Sequence, residues 1–251
     1  TPAGPFFLFH PAAETRAIKG PVISVVVPTL NAENGLVRAL SSLLEAAMRG
    51  LVRDVVVADG GSTDLTLEIA EDAGCTIVHA GTSTRGGLMD AGARAAKGPW
   101  LLFLHADTAL EAGWDGEAYH FVRQGNPGRA ATFRFALDDK RWSARRAELI
   151  YRLRNRVLAL PYGDQGLLIS KAQYERLGGF KDLPLLDDVD FVTRFKRFAG
   201  RAALTPLAAR AVTSGARYRR EFSALKPLRN LSMLALYGLG VSPERLARIY
   251  R

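Results

Sequence analysis

From residue 22 onward, short runs of consecutive apolar residues alternate with longer stretches whose apolar positions recur every three or four residues. The short runs at 22–27, 54–58, 75–79 and 100–104 are rich in valine, leucine and isoleucine and too brief for buried helices, so they predict strands covered on both faces. Between them, helices are predicted over roughly 34–48, where Leu36, Leu40, Leu43 and Leu44 share a face, from about Asp64, and over 88–96. Ser62, Thr63 and Asp64 all suit the start of the second helix. A repeated strand–helix unit implies an α/β fold with a mainly parallel sheet, right-handed crossovers and flanking helices. Further on, strands are predicted at 132–137, 165–170 and 208–213, and helices at 141–160, 171–177, 187–198, 222–237 and 243–250. The helix at 141–160 is long and basic, with Trp142, Leu149, Leu153 and Val157 at helical spacing. The chain divides into an arm at 1–20, an α/β domain at 21–215 and a helical extension at 216–251 that packs on the same domain.

The predicted strands deliver polar residues at their C-terminal ends: Pro28-Thr-Leu-Asn31, Asp59-Gly-Gly-Ser-Thr-Asp64 and His105-Ala-Asp107. Open α/β sheets bind ligands there. Asp59 can accept hydrogen bonds from a base or ribose, or simply close a capped strand–helix turn. His105 and Asp107 offer an imidazole and a carboxylate, a pair that suits a divalent cation; alternatively the histidine caps a strand edge. Arg85 precedes a helix start, where a guanidinium and backbone amides can hold a phosphate, or it is an exposed loop arginine. Leu186-Asp-Asp-Val-Asp190 supplies carboxylates that can take a proton from a hydroxyl or favour a helix dipole. Asp164 and Gln165 can grip a hydroxyl-bearing acceptor or form a turn. The cluster from Arg217 to Arg220 can offset a leaving diphosphate or form a solvated basic face.

Composition narrows this further. The 251 residues carry a formal net charge of +9, which admits an anionic ligand, nucleic acid or an acidic membrane surface. No nucleic-acid module is found, so no nucleic-acid partner is expected. A single cysteine, Cys75, rules out an intramolecular disulfide and fits a reducing, cytoplasmic compartment. No run reaches the ~20 apolar residues of a membrane span. The first 20 residues lack the basic start and apolar core of a signal peptide and are expected to form an arm, with Phe6 to Phe9 able to pack on the domain. Arg217, Arg219, Arg220, Lys226 and Arg229 flank the apolar stretch 231–239, which admits peripheral contact with an anionic membrane at its inner face.

Taken in order, Val25-Val-Val-Pro-Thr-Leu-Asn31, Val57-Ala-Asp-Gly-Gly-Ser-Thr-Asp64, Phe103-Leu-His-Ala-Asp-Thr108, Pro161-Tyr-Gly-Asp-Gln165 and Leu186-Asp-Asp-Val189 resemble glycosyltransferase family 2, with its GT-A (nucleotide-diphospho-sugar transferase) fold. The resemblance runs from about Val22 to the C-terminus and looks closest to a bacterial branch with a His-Ala-Asp-Thr motif. It implies a UDP- or GDP-sugar donor, a hydroxyl acceptor, Mn2+ or Mg2+, and inversion by a single displacement. It implies Asp188 as the base and Asp107 with His105 as metal ligands. Pro28, Thr29, Asn31, Asp59, Arg85 and Arg217 fall on the donor side, and Asp164, Gln165 and Asp187 on the acceptor side.

Three positions depart from the family pattern. His105 replaces the first aspartate of Asp-x-Asp, Gly60 the second aspartate of Asp-Asp-Gly-Ser, and Asp187 the usual glutamate before the base. The Gln-x-x-Arg-Trp motif of processive synthases is not found, so a single-transfer enzyme is expected. Two other classes compete. A sugar-phosphate nucleotidyltransferase needs a glycine-rich loop after the first strand, where this chain has Pro28-Thr-Leu-Asn31. A non-catalytic nucleotide-sugar-binding protein has no need of Asp107 and Asp188.

Overall fold

The computed structural model describes residues 23–139, 141–158, 160, 163–215, 232–234, 236–237 and 239–250. Expectations about the arm at 1–20, Pro161, Tyr162, Arg217 and its basic neighbours, and most of the helix at 222–237 lie outside these residues.

Eight strands form one sheet: β1 (Ile23–Thr29), β2 (Val52–Asp59), β3 (Thr76–His79), β4 (Trp100–Phe103), β5 (Thr108–Leu110), β6 (Ala130–Leu137), β7 (Leu167–Ser170) and β8 (Leu204–Thr213). Their order across the sheet is β3-β2-β1-β4-β7-β6-β8-β5. β3, β2, β1 and β4 run parallel to one another. β7 runs antiparallel to both β4 and β6, β8 parallel to β6, and β5 antiparallel to β8. The sheet is therefore mainly parallel with two reversed strands.

Alternation along each strand sends side chains to two faces, and both are covered. Val25, Val27, Val55, Val57 and Leu102 pack with Leu36, Leu40 and Leu43 and with Trp114, Ala118 and Phe121. These come from α1 (Glu33–Ser41) with its C-cap region and from α5 (Trp114–Arg123). Val26, Val56, Leu101 and Phe103 pack on the other face with Met89, Tyr174, Phe191 and Phe195. Those belong to α4 (Arg85–Ala95), α7 (Lys171–Arg176) and α8 (Asp187–Ala199).

The helix predicted over 34–48 is two helices, α1 and α2 (Leu44–Met48). The break has a side-chain cause. Ser42 donates its hydroxyl to the Ala39 carbonyl at 2.6 Å and accepts from the Leu110 amide, while the Trp114 indole takes the Ser42 carbonyl at 3.0 Å. That carbonyl is withdrawn from the helical ladder. β5 and α5 were not anticipated from the sequence; α5 follows Gly113 at φ +87°.

The long basic helix is α6 (Trp142–Leu158). Its buried side is not the Trp142–Leu149–Leu153 row. Ala144, Ala147 and Tyr151 pack against Phe135 and Leu137 instead. Of the tail, α9 (Pro243–Tyr250) buries Leu246, and Tyr237 donates a hydrogen bond to Asp190 in α8. Among the described residues, no helix is long and apolar enough to cross a membrane.

Candidate functional site

Strand direction decides what meets at one edge. β1, β2 and β4 all end there, with Thr29 paired to Asp59 and Val26 to Phe103. Reversed β7 begins there, Leu167 pairing with Phe103, so Gly163–Gln165 arrive at the same edge. The starts of α4 and α8 close over it: a Cβ on Gly86 would lie 2.1 Å from the Lys181 carbonyl oxygen and 3.0 Å from the Asp187 Cβ. Only glycine allows that approach. Asp182 clamps it, accepting from the hydroxyls of Thr82 and Thr84.

At the β1–β2 end, Asp59 is almost wholly buried. One carboxylate oxygen accepts from the Gly61 and Ser62 amides, both at 2.8 Å, and the other from the Thr29 hydroxyl at 2.9 Å and the Ser62 hydroxyl at 2.5 Å. Burial pushes its pKa up, but these donors, Ser62 foremost, hold it below the usual carboxylate value. Four donors fill the capacity of one carboxylate.

Asn31 sits at φ 51°, a conformation an Asx side chain tolerates. Its side-chain oxygen accepts from the Thr63 amide at 2.9 Å, and its own amide donates to Ser62. Asp64 caps two helix starts at once, accepting from Thr66 in α3 (Thr66–Asp72) and from Glu33 in α1. Glu33 answers by accepting from the Leu65 amide. Ser62, Thr63 and Asp64, read from the sequence as one helix's cap, thus sew two loops together.

The second cluster gathers around Arg85, which the structure makes the first residue of α4 rather than a loop residue. Its guanidinium binds Asp187 bidentately, Nη2 to Oδ1 at 2.6 Å and Nε to Oδ2 at 3.0 Å, and reaches Asp188 Oδ2 at 3.1 Å. Asp188 also accepts from the Gly163 amide at 2.9 Å and the Val189 amide at 2.8 Å. Burial raises the pKa of both acids. For Asp188, Arg85, the two amides and the nearby His105 outweigh it, and the carboxyl lies below its ordinary range. For Asp187, burial and its neighbour Asp188 win, and the carboxyl lies above it. Of the pair, Asp188 is the one whose carboxyl is pulled down and Asp187 the one pushed up.

His105 faces this cluster; its Nε2 lies 2.6 Å from where a Cβ on Gly163 would stand. Asp107 packs beneath α1 through Gly35, whose Cβ would come within 2.9 Å of the Asp107 Cα. The Asp107 carbonyl accepts from the Ser214 amide, and its carboxylate accepts from Thr108. Among the described residues, no group of three or more metal-ligating side chains forms. An imidazole and a carboxylate remain; of these the carboxylate suits magnesium completed by diphosphate oxygens, and the imidazole suits a transition-metal ion.

The structure therefore brings Arg85, His105, Asp187 and Asp188 together, and Thr29, Asn31 and Asp59 in a neighbouring group. Asp164 adds its charge to the field at Arg85. Gln165 is buried; its amide donates to the Phe133 carbonyl at 3.1 Å and accepts from Asn155 of α6 at 2.7 Å. Gly163, Asp182 and Asn155 were missed from the sequence, because a backbone amide donor and two side-chain contacts between separate elements leave no local pattern.

The profile of the family described as Glycosyl transferase family 2 matches residues 24–221. A curated relative, the PGL/p-HBAD biosynthesis glycosyltransferase of Mycobacterium tuberculosis (strain ATCC 25177 / H37Ra), is 38% identical over 98 residues, 36% of this chain and 37% of the relative. The same-named protein of Mycobacterium bovis (strain BCG / Pasteur 1173P2) matches equally. The match thus spans little more than a third of these relatives' length. Among solved structures, glucosyl-3-phosphoglycerate synthase from Mycobacterium tuberculosis, in complex with Mn2+, uridine-diphosphate and glucosyl-3-phosphoglycerate, superposes with a TM-score of 0.58 at 19% identity, covering 77% of this chain and 71% of that one. S. aureus TarS 1-349 in complex with UDP-GlcNAc gives 0.60 at 19% identity, covering 77% and 58%. These neighbours share the GT-A fold.

Proposed function

Because this chain belongs to glycosyl transferase family 2, we propose that it moves a sugar from a nucleoside-diphosphate sugar to a hydroxyl acceptor, with inversion, in one displacement. The acceptor oxygen attacks C1 of the sugar. The bond from C1 to the diphosphate oxygen breaks, and the nucleoside diphosphate leaves with its electrons. Asp188 takes the acceptor proton. The observation that carries this reading is the paired acids at the strand-end crevice, with Asp188 receiving Arg85 and two backbone amides. A carboxylate within hydrogen-bond reach of the acceptor hydroxyl is what a general base requires.

The donor nucleotide is placed across the ends of β1 and β2, at Pro28, Thr29 and Asn31, with Asp59, its four acceptor positions filled, shaping the loop that receives it, and Arg217 serving its diphosphate. Asp107 and His105 would hold Mn2+ or Mg2+, which supplies positive charge for the leaving group. UDP-bound neighbours with Mn2+ support a UDP-sugar as the first donor to try. On the acceptor side, Asp164 makes the contact. Asp187 and Gln165 hold the frame, because their polar atoms already bind Arg85, Phe133 and Asn155.

Transfer assays with UDP- and GDP-sugars, with and without Mn2+, test this directly. Asp188→Asn is expected to bind donor normally and lose turnover at least about 100-fold, the usual scale of general-base catalysis. Asp107→Ala is expected to lose metal-dependent donor binding. Normal turnover in Asp188→Asn would refute the base assignment. Diphosphate release from a nucleoside triphosphate and a sugar phosphate would point to a nucleotidyltransferase instead.

A further inference from the structure

α6 presents a surface that the transfer chemistry does not use. Trp142, Leu149 and Leu153 are 73%, 60% and 61% exposed, and Ile150 is 47% exposed. At 3.6 residues per turn, Trp142, Leu149 and Leu153 fall within an arc of roughly 40°. Exposed Arg146 and Ile150 flank that row on one side, and exposed Arg145 and Arg152 on the other. Arg146 stacks on the Trp142 ring at 4.7 Å. The opposite side, Ala144, Ala147 and Tyr151, is packed on Phe135 and Leu137. The helix is thus anchored by small residues and turns its large apolar residues outward.

Charge selects the partner. α6 has five arginines and one acid, Glu148. Glu148 points inward, accepting from the Leu137 amide at 2.9 Å and pairing with Arg145. What faces out is an apolar row bordered by guanidinium groups. That is the pattern of a helix lying in a lipid interface, its apolar residues among acyl chains and its arginines at anionic headgroups.

We propose that the outer face of α6 docks this protein on an anionic membrane surface. The position has a consequence for the site, because Asn155 of the same helix donates to Gln165 at the sheet edge. Docking would hold that side of the crevice near the lipid surface. The proposal differs in place from the tail residues 217–239 that the sequence suggested, and it stands whether or not Asp188 is the base.

Tryptophan fluorescence gives a specific readout, since Trp100 and Trp114 are buried and Trp142 is not. Full-length protein is mixed with phosphatidylcholine vesicles with or without phosphatidylglycerol, at low and high salt. The expected result is a blue shift and co-sedimentation with the anionic vesicles at low salt, weakened by salt and absent with neutral vesicles. Arg146→Gln with Arg152→Gln is expected to weaken binding about 25-fold, at about fivefold per charge. Leu149→Ser with Leu153→Ser is expected to weaken it about tenfold or more. All four residues are exposed, so melting temperature should not fall. Val37→Ser and Leu65→Ser, at exposed apolar positions elsewhere, are expected to bind normally.

No binding by the unaltered protein at low salt overturns the proposal. So does equal binding to neutral vesicles, or undiminished binding in the α6 variants. Self-association that the α6 variants abolish, without vesicle binding, overturns it in favour of a second copy as the occupant.

Discussion

Replacing Gly86 by alanine tests whether the close approach of α4 and α8 builds the site. The new Cβ would stand 2.1 Å from the Lys181 carbonyl oxygen, where Cβ contacts below 3.0 Å are essentially never seen, so the two backbones must part by at least about 0.9 Å. The obstructing atom belongs to the backbone, so no side chain can swing aside. Lys181 lies in the loop that leads into α8, and the Asp187 Cβ is itself 3.0 Å from the new atom, so the shift is expected to strain the 2.6 and 3.0 Å hydrogen bonds between Arg85 and Asp187. Asp188 follows Asp187 on the same helix and loses its 3.1 Å contact with Arg85. A misplacement of about 1 Å can cost about 100-fold in rate. Overpacking costs about 1–3 kcal/mol, and each kcal/mol lowers Tm by about 2–4 °C in a domain of this size. The assay is kcat for sugar transfer beside a thermal melt. Gly116→Ala is the control: α5 leaves open space around that position, and alanine there should stabilise by about 0.5–1 kcal/mol. Turnover and Tm unchanged in Gly86→Ala would refute the reasoning. A lower Tm with unchanged turnover would show that the approach serves stability alone.

Two further predictions rest on charge and burial. Arg85→Gln removes the ion that holds the Asp188 carboxyl down against burial, so the Asp188 pKa rises. Activity that needs the carboxylate exists above that pKa and is lost as pH falls through it, so the acid limb of kcat/KM should move to higher pH; an unmoved limb rules Asp188 out as the group it reports. Burial pushes the Cys75 thiol up to about 12, so maleimide labelling near neutral pH should be slow until denaturant is added; rapid labelling of the native protein would show that residue 75 is accessible as thiolate.

Where the sequence was legible, local physics and tertiary structure agreed. Runs such as Val25–Val27 and Val55–Val57 need cover on both faces, and a parallel sheet between helix layers supplies it. Strand ends were legible because Pro28, Asp59 and His105 interrupt apolar runs. α5 went unread although Trp114, Ala118, Phe121 and Val122 keep helical spacing; the glycines at 113 and 116 interrupt that pattern. The row Trp142, Leu149 and Leu153 correctly marked a helix and shows where periodicity stops. Periodicity shows that such residues share a face, but not whether that face meets the core.

The candidate site was legible by residue type and not by partnership. Arg85 was assigned to a phosphate because a guanidinium beside a helix start suits an anion, and the anions it meets in this structure are Asp187 and Asp188. Sequence separation hides that contact: Arg85 and Asp187 lie 102 residues apart. The same contact explains how two adjacent, buried acids can differ. Asp187 spends both oxygens on Arg85 yet stays above the usual range, whereas Asp188 gains the Gly163 and Val189 amides and falls below it. Those two amides point at one carboxylate and not the other. The choice of base between neighbouring aspartates, which the family pattern alone left to a Glu-for-Asp difference, thus becomes a question of backbone donors. Removing a backbone donor needs a proline, and position 163 can be tested that way: Gly163→Pro deletes the amide at Asp188. Because a Cβ at 163 would also stand 2.6 Å from His105 Nε2, Gly163→Ala, which adds that Cβ and keeps the amide, is the control: if the amide lowers the Asp188 pKa, the acid limb should lie higher in Gly163→Pro than in Gly163→Ala. A limb that moves only in Arg85→Gln would leave the guanidinium as the sole source of the difference.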